Sequence, residues 1–133
     1  RDGINMSGAV DKPHFTIHDN SFGIALARTG IYIEQNSTRS TIYKNTFKMA
    51  AGLIGINLAT LCTAIYSVTD NNFCTDGATQ GSAISCNINS TGCLFDGNHA
   101  AWLGANPAQN PYIDLGTNHW GMNYAGDVVI YPV

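Results

Sequence analysis

The sequence predicts an all-β fold, a right-handed parallel β-helix of about four to five coils with a loop-rich C-terminal cap, and three observations carry that expectation. Four phrases recur: Ile17-His18-Asp19-Asn20-Ser21-Phe22, Ile42-Tyr43-Lys44-Asn45-Thr46-Phe47, Val68-Thr69-Asp70-Asn71-Asn72-Phe73 and Leu94-Phe95-Asp96-Gly97-Asn98-His99, with first residues 25, 26 and 26 apart. A second series, Gly30-Ile31-Tyr32-Ile33, Gly55-Ile56-Asn57-Leu58, Ala83-Ile84-Ser85-Cys86 and Tyr112-Ile113-Asp114-Leu115, keeps nearly the same period in another phase. No segment carries the sustained apolar stripe and caps that a helix requires.

Each phrase alternates apolar and polar residues and ends in Asn, Gly, Ser or Thr, which describes a short strand followed by a turn. One such unit cannot bury its own apolar face, so a core forms only when units pile up, with aligned residues about 4.8 Å apart. The alignment gives inward columns of Ile17, Ile42, Val68 and Leu94, of Ile31, Ile56, Ile84 and Ile113, and of Phe22, Phe47 and Phe73 closed by His99. Asn20, Asn45 and Asn71 fall at the turn, where asparagine tolerates the left-handed conformation and its amide can bond the next coil. Gly97 suits the same column.

Residues 1–12 hold only Ile4 and Val10 as pattern and read as a lead-in, 13–115 as coils and 116–133 as a cap. The last strand, Asp127 to Val133, is apolar on both faces and needs cover, either across the end of the stack or against another subunit.

The chain has 133 residues, room for one core. Charged residues make up 11%, against roughly 25% in an ordinary soluble domain, so the surface is neutral and hydrogen-bonding. Six Lys and Arg residues and a net charge of -3 supply no basic stripe for a phosphate backbone, and nucleic acid is not an expected partner. No run has the 18 or so apolar residues of a membrane-spanning helix, and membrane insertion is not expected. The opening Arg1-Asp2-Gly3-Ile4-Asn5-Met6-Ser7 lacks the basic-then-apolar order of a signal peptide and does not start with Met, which suggests a piece of something longer. Cys62, Cys74, Cys86 and Cys93 could form two disulfides in a secreted protein, but their apolar flanks suit buried thiols. No CxxC pair and no HxH spacing among His14, His18, His99 and His119 marks a metal site, and no cofactor is expected.

Phrases such as Asp19-Asn20-Ser21-Phe22 and Asp70-Asn71-Asn72-Phe73 resemble the strand-Asn-turn coils of the pectin-lyase-like family of right-handed β-helices, over roughly Pro13 to Leu115. The low charge, the buried-looking cysteines and the aromatic ending are more similar to bacteriophage tailspikes than to plant-wall lyases. That resemblance implies a virion-tail protein, a homotrimer that binds and often cuts bacterial surface polysaccharide, of which this chain would be a distal or C-terminal piece. Trimer formation also follows from size, because a few coils alone leave open ends and flat sides large relative to the core. The family's calcium-dependent lyases carry an Asp cluster with a nearby Arg; the arginines here, Arg1, Arg28 and Arg39, form no such set with the aspartates. A secreted polysaccharide lyase or epimerase and a purely structural trimeric stalk remain alternatives.

Glycoside hydrolysis requires two carboxylates flanking the scissile bond. The repeat stacks Asp70 on Asp96, where like charge would raise one pKa, and sets Asp19 beside Lys44 as an ion pair; the plainer reading is a column of turn-forming Asp. Glu34 points outward from a flat face beside Ala59 and Asn87 and is the third catalytic candidate. For glycan binding, Trp102, Tyr112, Trp120 and Tyr124 lie in the last third among Asn106, Asn110, Asn118 and Asn123. Aromatic faces stack on sugars while amides pair with hydroxyls, although the tryptophans could equally cap the stack.

Overall fold

Alternation sets the strands, and the repeat sets their neighbours. The computed structural model describes residues 2–7, 14–23, 29–34, 40–49, 52–59, 67–75, 81–87, 90–101 and 110–133. The strands are β1 (Ile4–Ser7), β2 (Thr16–His18), β3 (Ser21–Phe22), β4 (Thr29–Glu34), β5 (Thr41–Tyr43), β6 (Thr46–Met49), β7 (Ile54–Leu58) and β8 (Ser67–Thr69). They continue as β9 (Asn72–Thr75), β10 (Ser82–Cys86), β11 (Thr91–Asp96), β12 (His99–Ala100), β13 (Tyr112–Asp114), β14 (Thr117–Trp120), β15 (Asn123–Ala125) and β16 (Val128–Ile130). Every third strand joins the same sheet: β1-β4-β7-β10-β13 form sheet A, β2-β5-β8-β11-β14 sheet B, and β3-β6-β9-β12-β15 sheet C. All these pairs are parallel. The fold is therefore an all-β parallel β-helix, as the repeat requires.

The stack extends past both boundaries expected for the coils. β1, inside the lead-in, pairs with β4, while β14 and β15, inside the cap, pair with β11 and β12. Only β16 leaves the pattern. It turns back antiparallel on β15 through Gly126 at φ +56°, a conformation suited to a tight hairpin. The closing strand thus covers the last edge of sheet C.

Inside, side chains stack by column. Ile17, Ile42 and Val68 share one, Ile31, Ile56 and Ile84 a second, and all but Ile17 are fully buried. The rings of Phe22, Phe47 and Phe73 lie parallel at 4.7 and 4.8 Å, a regular aromatic stack. Glycines make room for it. A Cβ on Gly30 would stand 2.6 Å from the Phe47 ring and one on Gly55 2.4 Å from the Phe73 ring. Where the fourth coil has Ala100 in the phenylalanine column, Ala83 takes the glycine's place.

Asparagine forms the polar seam of the stack. Asn45 donates its backbone N–H and its Nδ2 to Oδ1 of Asn71, both at 3.0 Å, and Asn71 does the same to Asn98 at 3.1 and 3.0 Å. Asn98 continues to Asn123 at 3.1 and 2.9 Å. Each Nδ2 also donates to a carbonyl of the coil before, Ile17, Ile42, Val68 or Phe95. These amides are wholly buried, and every coil supplies what its neighbour needs.

Four sequence expectations shift by one residue. The first column continues through Phe95 and Trp120; Leu94 points outward and is 42% exposed. The second continues through Tyr112, while Ile113 stands opposite Ser85. Ala100, not His99, meets Phe73. Asn98, not Gly97, continues the asparagine column, and the left-handed residue is the one before each asparagine: Asp19, Lys44, Asp70 and Gly97, with φ between 54° and 66°. For the first, third and fourth the step from the third coil to the fourth is one residue longer than expected, Val68 to Phe95, Phe73 to Ala100 and Asn71 to Asn98, and β11 itself carries an irregularity between Thr91 and Leu94; for the second the step from Ile84 to Tyr112 is one residue shorter. In a strand, a slip of one residue exchanges the inward and outward faces.

Candidate functional site

The outward face of sheet A carries a groove of about 540 Å³ crossing the first three coils. The register places its lining in rows. Asn5, Tyr32 and Asn57 stand directly above one another in β1, β4 and β7. Ser7 and Glu34 pair at one end of these strands, and Asp2, Thr29 and Ile54 line the other. Glu34 Oε2 accepts from the Tyr32 hydroxyl at 3.1 Å, which ties the ring to the carboxylate. Asp2 Oδ2 accepts from Asn5 Nδ2 at 2.8 Å. The groove therefore presents one aromatic ring flanked by two amides, with a carboxylate at each end.

Five residues separate the level of Asp2, beside Thr29, from that of Glu34, so their backbones lie roughly 16 Å apart along the strand direction. Glycoside hydrolysis uses carboxyl separations of about 5 to 9.5 Å. From those levels the two carboxylates reach inward to the same row, Asp2 to Asn5 Nδ2 and Glu34 to the Tyr32 hydroxyl.

The other expected carboxylates are placed differently. Asp96 stands opposite Thr69, not Asp70, because of the slip in β11, and its Oδ1 accepts from the Met122 amide at 2.8 Å. Asp70 packs against Gly97, where an added Cβ would lie 2.5 Å from its Oδ1. The stacked pair is thus offset by one column, and Asp96 works as a turn former. Asp19 binds His18 Nδ1 at 2.6 Å in place of Lys44, and His18 stacks on Tyr43 with centroids 4.9 Å apart.

Of the aromatic residues expected to contact a glycan, Trp102 lies outside the described residues. Tyr112 is fully buried, its hydroxyl donating to the Asn98 and Tyr124 carbonyls at 3.0 and 2.8 Å, and has no face to offer a sugar. Its place in the core corrects the expectation: Tyr112 lies in the inward column above Ile84. Trp120 stacks on Phe95 at 4.2 Å and donates Nε1–H to Asp114 Oδ2 at 2.8 Å. It closes the core. Tyr124 is half-buried in β15, opposite His99. Asp114 continues the inward column above Cys86 and is held by Gly116 N, Asn118 Nδ2 and Trp120 Nε1. Cys86 and Cys93 are buried and Cys74 half-buried, none of the three in a disulfide, as the apolar flanks imply; Cys62 lies outside the described residues.

Burial pushes the Tyr112 phenol well above its ordinary value. Because the folded pKa is the higher one, the contribution of this group is complete below pH 10, the range of a free tyrosine, and is lost as pH rises beyond it. The wild-type melting temperature is expected to fall more steeply between pH 9.5 and about 11 than that of Tyr112→Phe. Parallel thermal melts of the two proteins check this, and equal slopes would contradict it.

Comparison with known proteins adds no relative. No protein-family model matches the chain, and no curated protein or solved structure matches it.

Proposed function

We propose that the groove on sheet A binds a glycan, and that the chain is a segment of a phage tailspike that holds bacterial surface polysaccharide as a homotrimer. The observation that carries the glycan reading is the row Asn5, Tyr32, Asn57: a tethered ring between two amides on a rigid sheet, in a groove large enough for several sugar units. Sugars stack their apolar faces on aromatic rings and pair their hydroxyls with amides and carboxylates. The rigid stack fixes these groups in advance, which lowers the ordering cost of binding. The spike and trimer parts of the proposal rest on the sequence resemblance. They are supported by the exposed apolar side chains near the last coil, Leu115, Met122, Val128, Val129, Tyr131 and Val133, which a neighbouring subunit would cover.

The structural-stalk alternative draws on Trp120, which serves the core. Glycan affinity separates the two. Tyr32→Ala is expected to weaken binding of a captured bacterial glycan at least tenfold by calorimetry, with the melting temperature little changed because Tyr32 points outward. Undiminished affinity in Tyr32→Ala would remove the groove from the account. Light scattering reads the assembly: a mass near three chains is expected, and a monomer at micromolar concentration would sink the trimer.

A further inference from the structure

We infer that Ile54 makes the groove selective for glycans that carry a methyl group, an inference that rests on the glycan reading above and deepens it. In a regular strand Ile54 would face the same way as Ile56, into the core. From Ile54 to Leu58 the residues of β7 are instead half-buried, buried, buried, half-buried and buried. Gly55 and Ile56 are thus buried in succession, with Gly55 set against the Phe73 ring, where an added Cβ would lie 2.4 Å away. This break in alternation turns Ile54 to the side of Asn57, and both line the groove. Irregularities in a strand commonly re-aim a side chain next to a site.

The surroundings leave the Ile54 side chain within reach of a ligand. In register it stands between Thr29 of β4 and Ser82 of β10. Gly52, two residues earlier, also lines the groove, and a Cβ there would meet nothing within 4 Å, so the space beside Ile54 is open. Among the described lining residues Ile54 is the one aliphatic side chain; the others are polar, aromatic or glycine. Three residues separate Ile54 from Asn57, roughly 10 Å along the strand. A glycan seated on the row Asn5, Tyr32, Asn57 therefore meets Ile54 with an adjoining sugar unit.

That unit is read by its apolar part. A hydroxyl pressed against Ile54 gives up water and finds no partner in the aliphatic side chain, which is unfavourable. A methyl group in the same place removes its own apolar surface and that of Ile54 from water together. Bacterial glycans offer a methyl in two chemical forms, C6 of a 6-deoxyhexose and the acetyl group of an N-acetylhexosamine, and the contact with Ile54 is the same for both. The amides and Tyr32 hold the chain, while Ile54 selects among chains.

The test is an array of bacterial oligosaccharides in which 6-deoxyhexose and N-acetylhexosamine units each stand beside the parent hexose, followed by calorimetry on the captured pairs with wild type, Ile54→Ser, Ile54→Val and Tyr32→Ala. Wild type is expected to hold at least one methyl-bearing class about tenfold more tightly than its parent, the lower end of what one such group contributes in an apolar site. The preferred class identifies the source of the methyl. Ile54→Ser is expected to erase the preference by weakening the methyl-bearing ligand alone, and Ile54→Val, which keeps an aliphatic surface, to retain it. Equal affinities in wild type, all lost in Tyr32→Ala, would overturn the selectivity while leaving the groove as the glycan site. A preference that survives Ile54→Ser would overturn the role of Ile54. Capture of no glycan by the wild type would overturn both readings.

Discussion

Replacing Asn71 by alanine is expected to destabilise the protein by about 4 kcal/mol, because several buried groups lose their partner at once, at about 1 to 3 kcal/mol for each unsatisfied one. The Asn45 backbone N–H and Nδ2 both lose the acceptor Asn71 Oδ1, and the buried Ile42 carbonyl and Asn98 Oδ1 lose a donor. No water reaches this seam without opening the stack, since Asn45, Asn71 and Asn98 are each fully buried. Stabilities of single domains run from about 5 to 15 kcal/mol, so the loss is a large share of the total. Position on the ladder supplies the control. Asn20, in the first coil, is exposed and passes its bonds only to Asn45 and to its own coil, and Asn20→Ala should cost no more than about 1 kcal/mol. Urea unfolding of the two variants measures the difference; equal losses would mean that the ladder does not hold the coils together.

Gly55→Ala is expected to cost about 3 kcal/mol, the upper part of the range for overpacking. The added methyl would lie 2.4 Å from the Phe73 ring and 2.6 Å from the Ala83 carbonyl oxygen. Phe73→Ala alone should cost about 3 to 5 kcal/mol through the cavity it leaves. Together the two changes reproduce the pairing of Ala83 with Ala100 in the fourth coil, so the double variant should be about 1 to 2 kcal/mol more stable than the sum of the single losses implies. The carbonyl contact remains in both backgrounds and limits the recovery. Chemical denaturation of the four proteins completes the cycle, and strict additivity would show that ring and glycine do not compete for the same space.

The period was readable because the core residues recur in it. Ile17, Ile42 and Val68 repeat at the spacing of one coil, and nothing but stacking makes that spacing useful. Register in the fourth coil was not readable from the aliphatic residues, since both Leu94 and Phe95 are apolar and either fits the column. The asparagines resolve it: Asn20, Asn45, Asn71, Asn98 and Asn123 form one series, and following it past Asn71 would have placed Phe95 inward and His99 outside the phenylalanine stack. Tyr112 was misread for a related reason. An aromatic residue in an Asn-rich stretch looks like a sugar platform, yet its side chain reaches far enough into the core for its hydroxyl to meet two carbonyls.

Of the candidate site, only Glu34 was legible, from its place just beyond the inward Ile33. Asp2 and Asn5 belong to a segment of twelve residues in which only Ile4 and Val10 were read as pattern, too sparse to mark as a strand. The row that joins Asn5 to Tyr32 and Asn57 exists only in the cross-coil register, because those residues lie 27 and 25 positions apart. A site made between coils leaves no local motif.

The most direct test of the account is an amide and side-chain NMR titration of isotopically labelled protein with a glycan recovered from an array. The perturbed signals are expected to be those of Asn5, Tyr32, Glu34 and Asn57, on one face of sheet A, while Trp120 and Tyr124 stay in place. Perturbation concentrated at Trp120, Tyr124 and the last coils, with the groove signals unmoved, would contradict it.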